Sequence, residues 1–317
     1  MDLPSCMKCN DRAITFVRYS GAHLCARHFN EFFMKRVKRE VRWQGGLRAK
    51  GKIMVAISGG KDSGVALRTL LDISKGVKEI SIEAMIVDEG ISGYRPLCMK
   101  VAKENCRRWD VPLHVITFKQ MTGMSLDAIL RSSHDMKPCA ICGVFRRYGM
   151  NQVAKEHGAS RLATGHNLDD LAQSILMNVA TGDLEKLFRL GPHLSPVGGL
   201  VPRFFPLRSI PEKEILLYAM TNGIPFRSSE CPYADTATRG RYRDVLMLLE
   251  DRDPGTRHSL LNFHQSLMER SSEMRKDLTV VRCRSCNEPS AGTECKRCQY
   301  LRRIVQIRPA KKPKNDQ

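Results

Sequence analysis

Twelve cysteines occur in 317 residues, and most of them stand in pairs whose spacing suits metal binding rather than disulfide formation. Near the N-terminus a Cys-x-x-Cys pair is followed by Cys-x-x-His, and near the C-terminus two Cys-x-x-Cys pairs follow one another. Two short turns that present two ligands each can satisfy a tetrahedral zinc ion. The predicted zinc ligands are Cys6, Cys9, Cys25 and His28 in the first module and Cys283, Cys286, Cys295 and Cys298 in the second. The alternatives are four unrelated residues in the first module and a redox dithiol pair in the second.

A third set of cysteines, in the middle of the chain, offers three ligands rather than four. Cys139 and Cys142 are three residues apart, which places them on one face of a helical turn, and Cys231 comes from a different element. Three thiolates suit an iron–sulfur cluster with one iron lacking a protein ligand, whereas a structural zinc ion usually takes four. On spacing alone, a catalytic dithiol and buried bystander cysteines stay open. The two remaining cysteines, Cys98 and Cys106, have apolar neighbours and are predicted to be core residues.

The segment SGGKDS at 58–63 directly follows an apolar run and opens a helical stretch. Its two glycines allow backbone N–H groups to approach a phosphate, and the helix amino terminus adds a partial positive charge. The serine hydroxyls can bond phosphate oxygens, and the aspartate can help to hold Mg²⁺. The segment is not a Walker A loop, because the four residues between the glycines of that motif are missing. The predicted nucleotide-binding residues are Ser58, Gly59, Gly60, Lys61, Asp62 and Ser63.

The hydrophobic pattern predicts a scaffold that can bring these segments together. From Lys52 to about Phe226, short apolar runs alternate with helical periods, which is typical of a parallel α/β sheet whose ligands bind beyond the carboxyl ends of the strands. The predicted strands are Ile53–Ile57, Ile82–Val87, Leu113–Phe118 and Arg161–Thr164. The predicted helices are Gly64–Ser74, Pro96–Trp109, Cys139–His157 and Leu168–Ala180.

Composition divides the chain into a central domain with smaller segments on both sides. The predicted segments are an N-terminal zinc finger at 1–34, a basic linker helix at 35–51, the nucleotide-binding α/β domain at 52–226, a helical extension at 227–278, a C-terminal zinc ribbon at 279–306 and a basic tail at 307–317. Hydrophobic residues make up 42% and charged residues 27% of the chain, which excludes a disordered protein.

The balance of charge predicts the class of partner. Lys and Arg number 52 against 33 Asp and Glu, a net charge of +19, and basic residues concentrate at 35–52 and 301–317. Lys and Arg gain by releasing counterions from phosphate, so we expect nucleic acid, with an ordinary basic surface as the alternative. The apolar runs are too short to span a bilayer, and residues 1–30 do not read as a secretory signal. We therefore expect a soluble, cytoplasmic protein.

Four motifs together resemble the TtcA/TtuA family of PP-loop tRNA 2-thiolation enzymes. They are SGGKDS at 58–63, CAICGVFRR at 139–147, ATGHNLDD at 163–170, and Pro202-Arg203 with Pro206-Leu207-Arg208. The first is similar to the SGGxDS signature of the ATP pyrophosphatase superfamily. The two zinc modules resemble the TtuA-type branch, which includes archaeal and eukaryotic wobble-uridine thiolases. The resemblance covers roughly residues 3–300.

The resemblance implies a reaction and its cofactors. ATP would be cleaved between its α and β phosphates, AMP would be placed on the C2 oxygen of a tRNA uridine, and sulfur would then replace that oxygen. It implies Mg²⁺ and a [4Fe-4S] cluster on Cys139, Cys142 and Cys231, whose remaining iron takes sulfide or the sulfur of a donor. Free sulfide and a thiocarboxylated ubiquitin-like carrier protein both fit as donors. The resemblance also suggests a homodimer.

The resemblance assigns roles to further residues. Val87 would lie beside the adenine, Gly165 would approach the nucleotide backbone, and Asp170 would be the acidic residue near the reacting centre. Arg146 stands where the ribothymidine-arm thiolases often have Lys, and because Arg cannot act as a general base its role would be electrostatic. The string CGVFRR resembles the wobble-uridine group, so we predict the wobble uridine as target, with the ribothymidine-arm uridine as the alternative. The residues expected to contact ATP are Ala56, Ser58, Asp62 and Ser63.

Two other functions fit part of the pattern. A PP-loop enzyme that adenylates tRNA and attacks with an amine, as in lysidine synthesis, would use the loop and the charge but leave the three middle cysteines without a role. A zinc-finger nucleic-acid-binding protein whose α/β domain only senses nucleotide would perform no catalysis.

Overall fold

The computed structural model describes most of the chain, with short gaps. The described residues are 4–47, 50–133, 135–193, 196, 198–234, 239–271 and 281–307. The predicted basic tail from residue 308 onward and the end of the helical extension lie outside the described residues. Among the described helices, none combines the length and the apolar character that crossing a bilayer requires.

The N-terminal module is a short hairpin followed by a long helix. Strands β1 (Thr15–Val17) and β2 (Ala22–Leu24) pair antiparallel, and helix α1 (Ala26–Trp43) begins directly after Cys25. His28 therefore lies in the first turn of the helix. Apolar residues recur every fourth position of α1 and form one buried stripe against the central domain. These residues are Phe29, Phe33, Val37 and Val41.

A five-stranded parallel sheet, in the order β5-β4-β3-β6-β7, forms the central domain. Its strands are β3 (Gly51–Ala56), β4 (Ile80–Asp88), β5 (Leu113–Thr117), β6 (Ala159–Thr164) and β7 (Arg203–Phe204). The four predicted strands are all present, and β7 is an addition of two residues at the edge. Because β4 lies on one side of β3 and β6 on the other, the chain leaves a crevice at the carboxyl end of β3.

Helices cover both faces of the sheet. They are α2 (Lys61–Ser74), α3 (Arg95–Arg108), α4 (Phe118–Thr122), α5 (Leu126–Ser132), α6 (Pro138–Glu156), α7 (Leu168–Ala180), α8 (Leu184–Phe188) and α9 (Glu212–Thr221). Side chains of β3 alternate between the faces, since Ile53 and Val55 pack with α1, α2 and α9, whereas Met54 packs with α5 and α6. Cys98 and Cys106 are buried in α3, as predicted.

The C-terminal part of the chain packs on two different regions of the central domain. Helices α10 (Arg239–Arg252) and α11 (Thr256–Arg270) pack against α7. Strands β8 (Val281–Arg282) and β9 (Pro289–Ser290) and helix α12 (Lys296–Ile307) form the last module. Its helix α12 packs on α4, α5 and α6, so the module is attached to the sheet face that α6 covers.

A close backbone contact fixes the loop after β3. Gly59 has φ +85°, and a Cβ atom there would lie 2.3 Å from the carbonyl oxygen of Cys98. Gly76 provides a matched control, because its φ is +83° and a Cβ atom there would have nothing within 4 Å.

We expect Gly59→Ala to destabilise the protein far more than Gly76→Ala. Both substitutions carry the cost of left-handed backbone, roughly 1–2 kcal/mol. Only the first adds a steric overlap, which should lower the free energy of unfolding by a further ~1–3 kcal/mol. Urea unfolding of the two variants measures the difference. Equal losses at the two positions would contradict the close contact.

Candidate functional site

The SGGKDS loop is held in shape by its own hydrogen bonds. The Ser58 amide donates to Ser63 Oγ (3.0 Å), and the Ser63 hydroxyl donates to the Gly60 carbonyl (3.0 Å). The Ser58 and Ser63 hydroxyls are 3.1 Å apart. Helix α2 begins at Lys61, so its free amide groups face the space in front of the loop. This is the geometry of an anion site at a helix amino terminus.

A cleft opens in front of the loop at the carboxyl ends of β3, β4 and β6. Most residues predicted to contact ATP or act in catalysis line it, namely Ala56, Ser58, Asp62, Ser63, Val87, Arg146, Gly165 and Asp170. Further lining residues, which were not assigned to the site from the sequence, are Ile57, Met85, Arg95, Met150, Thr164 and His166. The structure therefore brings together side chains from three strand ends and helix α6, with apolar walls beside the charged groups.

Lys61 is predicted as a nucleotide ligand, but its side chain is engaged within the protein. Its ammonium nitrogen lies 2.5 Å from Glu212 Oε1 and 3.3 Å from Asp62 Oδ2. Burial raises the pKa of Asp62 to about 6, an effect that the nearby Lys61 ammonium partly offsets. Asn167 Nδ2 donates to Asp62 Oδ1 (3.3 Å). Asp62 thus lies in the cleft as a partly buried carboxylate, with Asn167 at one oxygen and Lys61 at the other.

Gly165 and Asp170 lie on the loop and helix that follow β6. A Cβ atom at Gly165 would be 2.8 Å from the Ser63 backbone nitrogen and 2.9 Å from the Asp62 carbonyl carbon. The glycine thus allows this loop to pack on the SGGKDS backbone as well as to line the cleft. Asp170 closes a capping box on α7, because the Asn167 amide donates to its carboxylate (3.2 Å) and its own amide donates to Asn167 Oδ1 (2.9 Å).

The three middle cysteines meet at the amino terminus of α6. Cys139 is exposed, and its thiol lies 3.7 Å from the Tyr233 carbonyl in the loop that carries Cys231. Cys142 and Cys231 are half-buried. Burial raises the pKa of the Cys142 thiol to about 11, opposed by Arg146, and burial also raises the pKa of Cys231. Cys142 and Cys231 would therefore need a metal centre to hold them as thiolates.

A buried carboxylate joins the cysteines to the nucleotide loop. The Glu89 side chain is only 3% exposed and forms an ion pair with Arg95 and a second one with Arg146 (Nε–Oε1 3.4 Å). Arg95 Nη1 also donates to the Ser58 carbonyl (3.1 Å). Arg146 and Cys142 also interact electrostatically, since the Arg146 charge opposes the rise in the pKa of the Cys142 thiol. Sequence reasoning missed Glu89 and Arg95, although Glu89 follows β4 and so stands at the carboxyl edge of the sheet.

Both terminal cysteine modules fit a zinc ion. His28 Nδ1 lies 3.4 Å from each sulfur of Cys6, Cys9 and Cys25. Two sulfur atoms are 3.7 Å apart in the first module and two are 3.6 Å apart in the second. Four Zn–S bonds of about 2.3 Å at tetrahedral angles place sulfur atoms about 3.8 Å apart. The Cys295 amide donates to Cys283 Sγ (3.3 Å), and it lowers the pKa of that thiol to about 6.

The middle cysteines have a wider spacing than the zinc modules. Among the described residues, both four-ligand modules have all their ligand atoms within 4.8 Å of one another, whereas Cys139, Cys142 and Cys231 do not form such a set. A single ion requires the tighter spacing. The three thiols therefore suit a centre of several metal atoms better than one zinc ion.

A parallel sheet whose first strand runs into an SGGKDS loop, with a zinc module on either side, defines a nucleotide-binding protein of the PP-loop class. The model of the PP-loop domain family matches residues 24–249, and the model described as the 2-thiouridine synthetase TtuA N-terminal LIM domain matches residues 5–30. The chain belongs to the TtuA-type branch of the TtcA/TtuA family of PP-loop tRNA 2-thiolation enzymes.

Characterised relatives align over nearly the whole chain. The tRNA 2-thiolation protein NcsA of Haloferax volcanii is 36% identical over 95% of this chain and 99% of its own length. The tRNA-5-methyluridine(54) 2-sulfurtransferase of Pyrococcus horikoshii is 32% identical over 93% of both chains. The U34-tRNA thiolase NcsA from Methanococcus maripaludis, solved with its [4Fe-4S] cluster, is 32% identical and superposes with a TM-score of 0.83, covering 96% of this chain and 97% of that one.

We expect the purified protein to hold two zinc ions per chain. Cys25→Ser and Cys298→Ser should each remove one, because each substitution leaves three ligands at its site. Cys106→Ser is the matched control, since Cys106 is equally buried but lies outside both modules. Elemental analysis of zinc per chain measures the outcome. A full zinc complement in Cys25→Ser would show that the first module does not bind the metal as described.

Proposed function

We propose that this protein is an ATP-dependent tRNA-uridine 2-sulfurtransferase that forms AMP and pyrophosphate. The observation that carries the proposal is the link from Cys142 through Arg146 and Glu89 to Arg95 and the Ser58 carbonyl. This link places a three-cysteine centre beside a nucleotide loop, which an enzyme that only adenylates would not need. The matching relatives are tRNA thiolation proteins.

The residues of the cleft have distinct tasks in adenylation. The SGGKDS amides and the hydroxyls of Ser58 and Ser63 bind the phosphates that leave as pyrophosphate. Asp62 would hold Mg²⁺, which would neutralise part of the negative charge that builds up on the phosphates. Arg146, whose guanidinium cannot lose its proton, stabilises the charge that develops at the α-phosphate while the uridine oxygen attacks. Asp170 lies in the same cleft, close to the reacting groups.

The cysteine centre fits a [4Fe-4S] cluster on three protein ligands. Cys139, Cys142 and Cys231 would hold it, and the donor set of three thiolates at wide spacing agrees with that assignment. Such a cluster supplies an iron without a protein ligand, at which sulfur for the transfer can bind. Because Cys139 is exposed, this part of the site is accessible to incoming tRNA. Arg146 and the buried Glu89 orient the centre relative to the bound nucleotide.

Within the tRNA, we propose the wobble uridine as the target. Arg146 and the string CGVFRR support this choice, as does the U34-tRNA thiolase among the matching structures. The relative from Pyrococcus horikoshii, which modifies 5-methyluridine 54, supports the alternative. Thiolation of two transcripts separates them, one retaining only the wobble uridine and one retaining only uridine 54. Mass spectrometry of the digested nucleosides should find 2-thiouridine in the first transcript alone.

Three further features belong to the same proposal. The net charge of +19 supports binding along the tRNA backbone. A homodimer and a thiocarboxylated ubiquitin-like sulfur carrier are proposed as partners on the family resemblance. All twelve cysteines are unpaired in the structure, and their roles as metal ligands or core residues require reduced thiols, which supports a cytoplasmic location.

We expect Cys231→Ala to abolish thiolation while tRNA affinity stays within about twofold. The thiol is a ligand of the metal centre and does not contact phosphate. Cys106→Ala, in the core of α3, serves as the control and should keep its activity. Thiouridine formation and tRNA binding are measured on the same anaerobic preparations. A parallel loss of activity and tRNA binding would count against the assignment.

We expect Glu89→Gln to lower kcat for thiolation at least tenfold with little change in the KM for tRNA. The neutral amide no longer compensates two guanidinium groups, so Arg95 and Arg146 lose their fixed positions. Glu89 does not line the cleft, and Glu89→Asp, which keeps the negative charge, should restore part of kcat. A change confined to KM, or no recovery in Glu89→Asp, would contradict a positioning role.

A further inference from the structure

A third group of metal-binding side chains lies on the central domain, apart from the cysteine sites. Glu83 is on β4, His114 is on β5, and His157 follows the last turn of α6. Their ligand atoms all lie within 4.8 Å of one another. Glu83 lies on β4, six residues before Glu89, which follows the end of that strand. None of the three side chains lines the nucleotide cleft, and the proposed reaction does not use them.

Three side chains from three different elements converge at this group. His114 Nε2 is 2.6 Å from Glu83 Oε2, and the rings of His114 and His157 have centroids 3.6 Å apart with planes inclined at 32°. The side chains of His114 and Glu83 are 25% and 16% exposed. They are thus shielded from bulk water but still open to an entering ion.

A hydrogen bond between Glu83 and His114 does not account for the second histidine of the group, His157. The Glu83 carboxylate already has His114 on one oxygen and Lys52 Nζ on the other at 2.7 Å. The His157 ring contacts His114 at a tilted angle, and among the described residues it makes no hydrogen bond of its own. A neutral His157 therefore has one nitrogen lone pair that no described group of the protein uses.

The electrostatic surroundings combine opposing contributions. Burial disfavours the charged form of Glu83, but Lys52 and His114 outweigh it and lower the pKa of that carboxyl. His157 occupies the C-cap of α6, where the helix carries a partial negative charge that favours a cation. The Lys52 ammonium is the cationic group that faces Glu83 from β3, and it opposes a metal ion. The Glu83 carboxylate and the carboxyl end of α6 thus attract a metal ion, whereas the Lys52 ammonium repels it.

We propose that Glu83, His114 and His157 bind a divalent transition-metal ion of the zinc type. Two imidazoles and one carboxylate form a recognised ligand set for zinc, with the fourth position left to water. No substrate-sized cleft adjoins the group among the described cavities. The ion therefore cross-links the carboxyl end of α6 to β4 and β5. The opposite end of α6 carries Cys139 and Cys142.

The test uses the full-length protein with both cysteine modules already loaded with zinc. Zinc is titrated in competition with a chromophoric chelator, and a third equivalent is expected in the native protein. His157→Gln should weaken binding of this third equivalent more than tenfold, since it removes a ligand. His258→Gln, a half-buried histidine on α11 outside the group, is the matched control and should retain it.

Two further measurements keep the test decisive. If His157→Gln does not fold, Glu83→Gln, which keeps the side-chain size, takes its place, and retention of two zinc ions shows that the fold is intact. Cobalt bound as the third equivalent should give weak visible bands without the intense thiolate charge-transfer absorption of the cysteine modules. The absence of a third equivalent in the native protein, its persistence in both variants, or a thiolate spectrum for it would each overturn the proposal.

Discussion

The arrangement of the site depends on one buried carboxylate between two guanidinium groups. An isolated Glu89 anion at 3% exposure would cost several kcal/mol of desolvation. Arg95 and Arg146 offset that cost only while both stay in place, and they come from different helices. Because Arg95 also binds the Ser58 carbonyl, the same interaction fixes the nucleotide loop relative to the amino end of α6. Two functional groups that are distant in sequence are thereby held in one geometry.

The parallel sheet brings the functional loops together, and the ion pairs of Glu89 then fix their relative positions. The loops after β3, β4 and β6 carry SGGKDS, Glu89 and Gly165, and parallel strands place all three at one edge. Two glycines then allow backbone to approach backbone. Gly59 accommodates the Cys98 carbonyl, and Gly165 accommodates the Asp62–Ser63 peptide. A side chain at either position would separate the loops that form the floor of the cleft.

The sequence predicted the parts of this structure that have a strong local signal. The four longer strands contain short apolar runs, and the zinc modules and SGGKDS have fixed spacing. Strand β7, at two residues, is too short for any periodic pattern. Glu89 and Arg95 were missed because an acid and an arginine six residues apart have no distinctive spacing, and only the packing of α6 on β4 brings Arg146 to them. Gly165, predicted to approach the nucleotide, lines the cleft, and its packing on the SGGKDS backbone has no signal in the sequence.

The position of the three cysteines reflects a balance between burial and local charge. Burial against the apolar side of α6 raises the pKa of Cys142, which works against the thiolate that a metal centre needs. The helix opposes this effect, since Cys139 and Cys142 lie at the amino-terminal end of α6, where its partial positive charge favours a thiolate. Arg146, one turn further on, adds a full positive charge. Cys142 thus has little tendency to ionise on its own, whereas a bound metal centre would stabilise its thiolate.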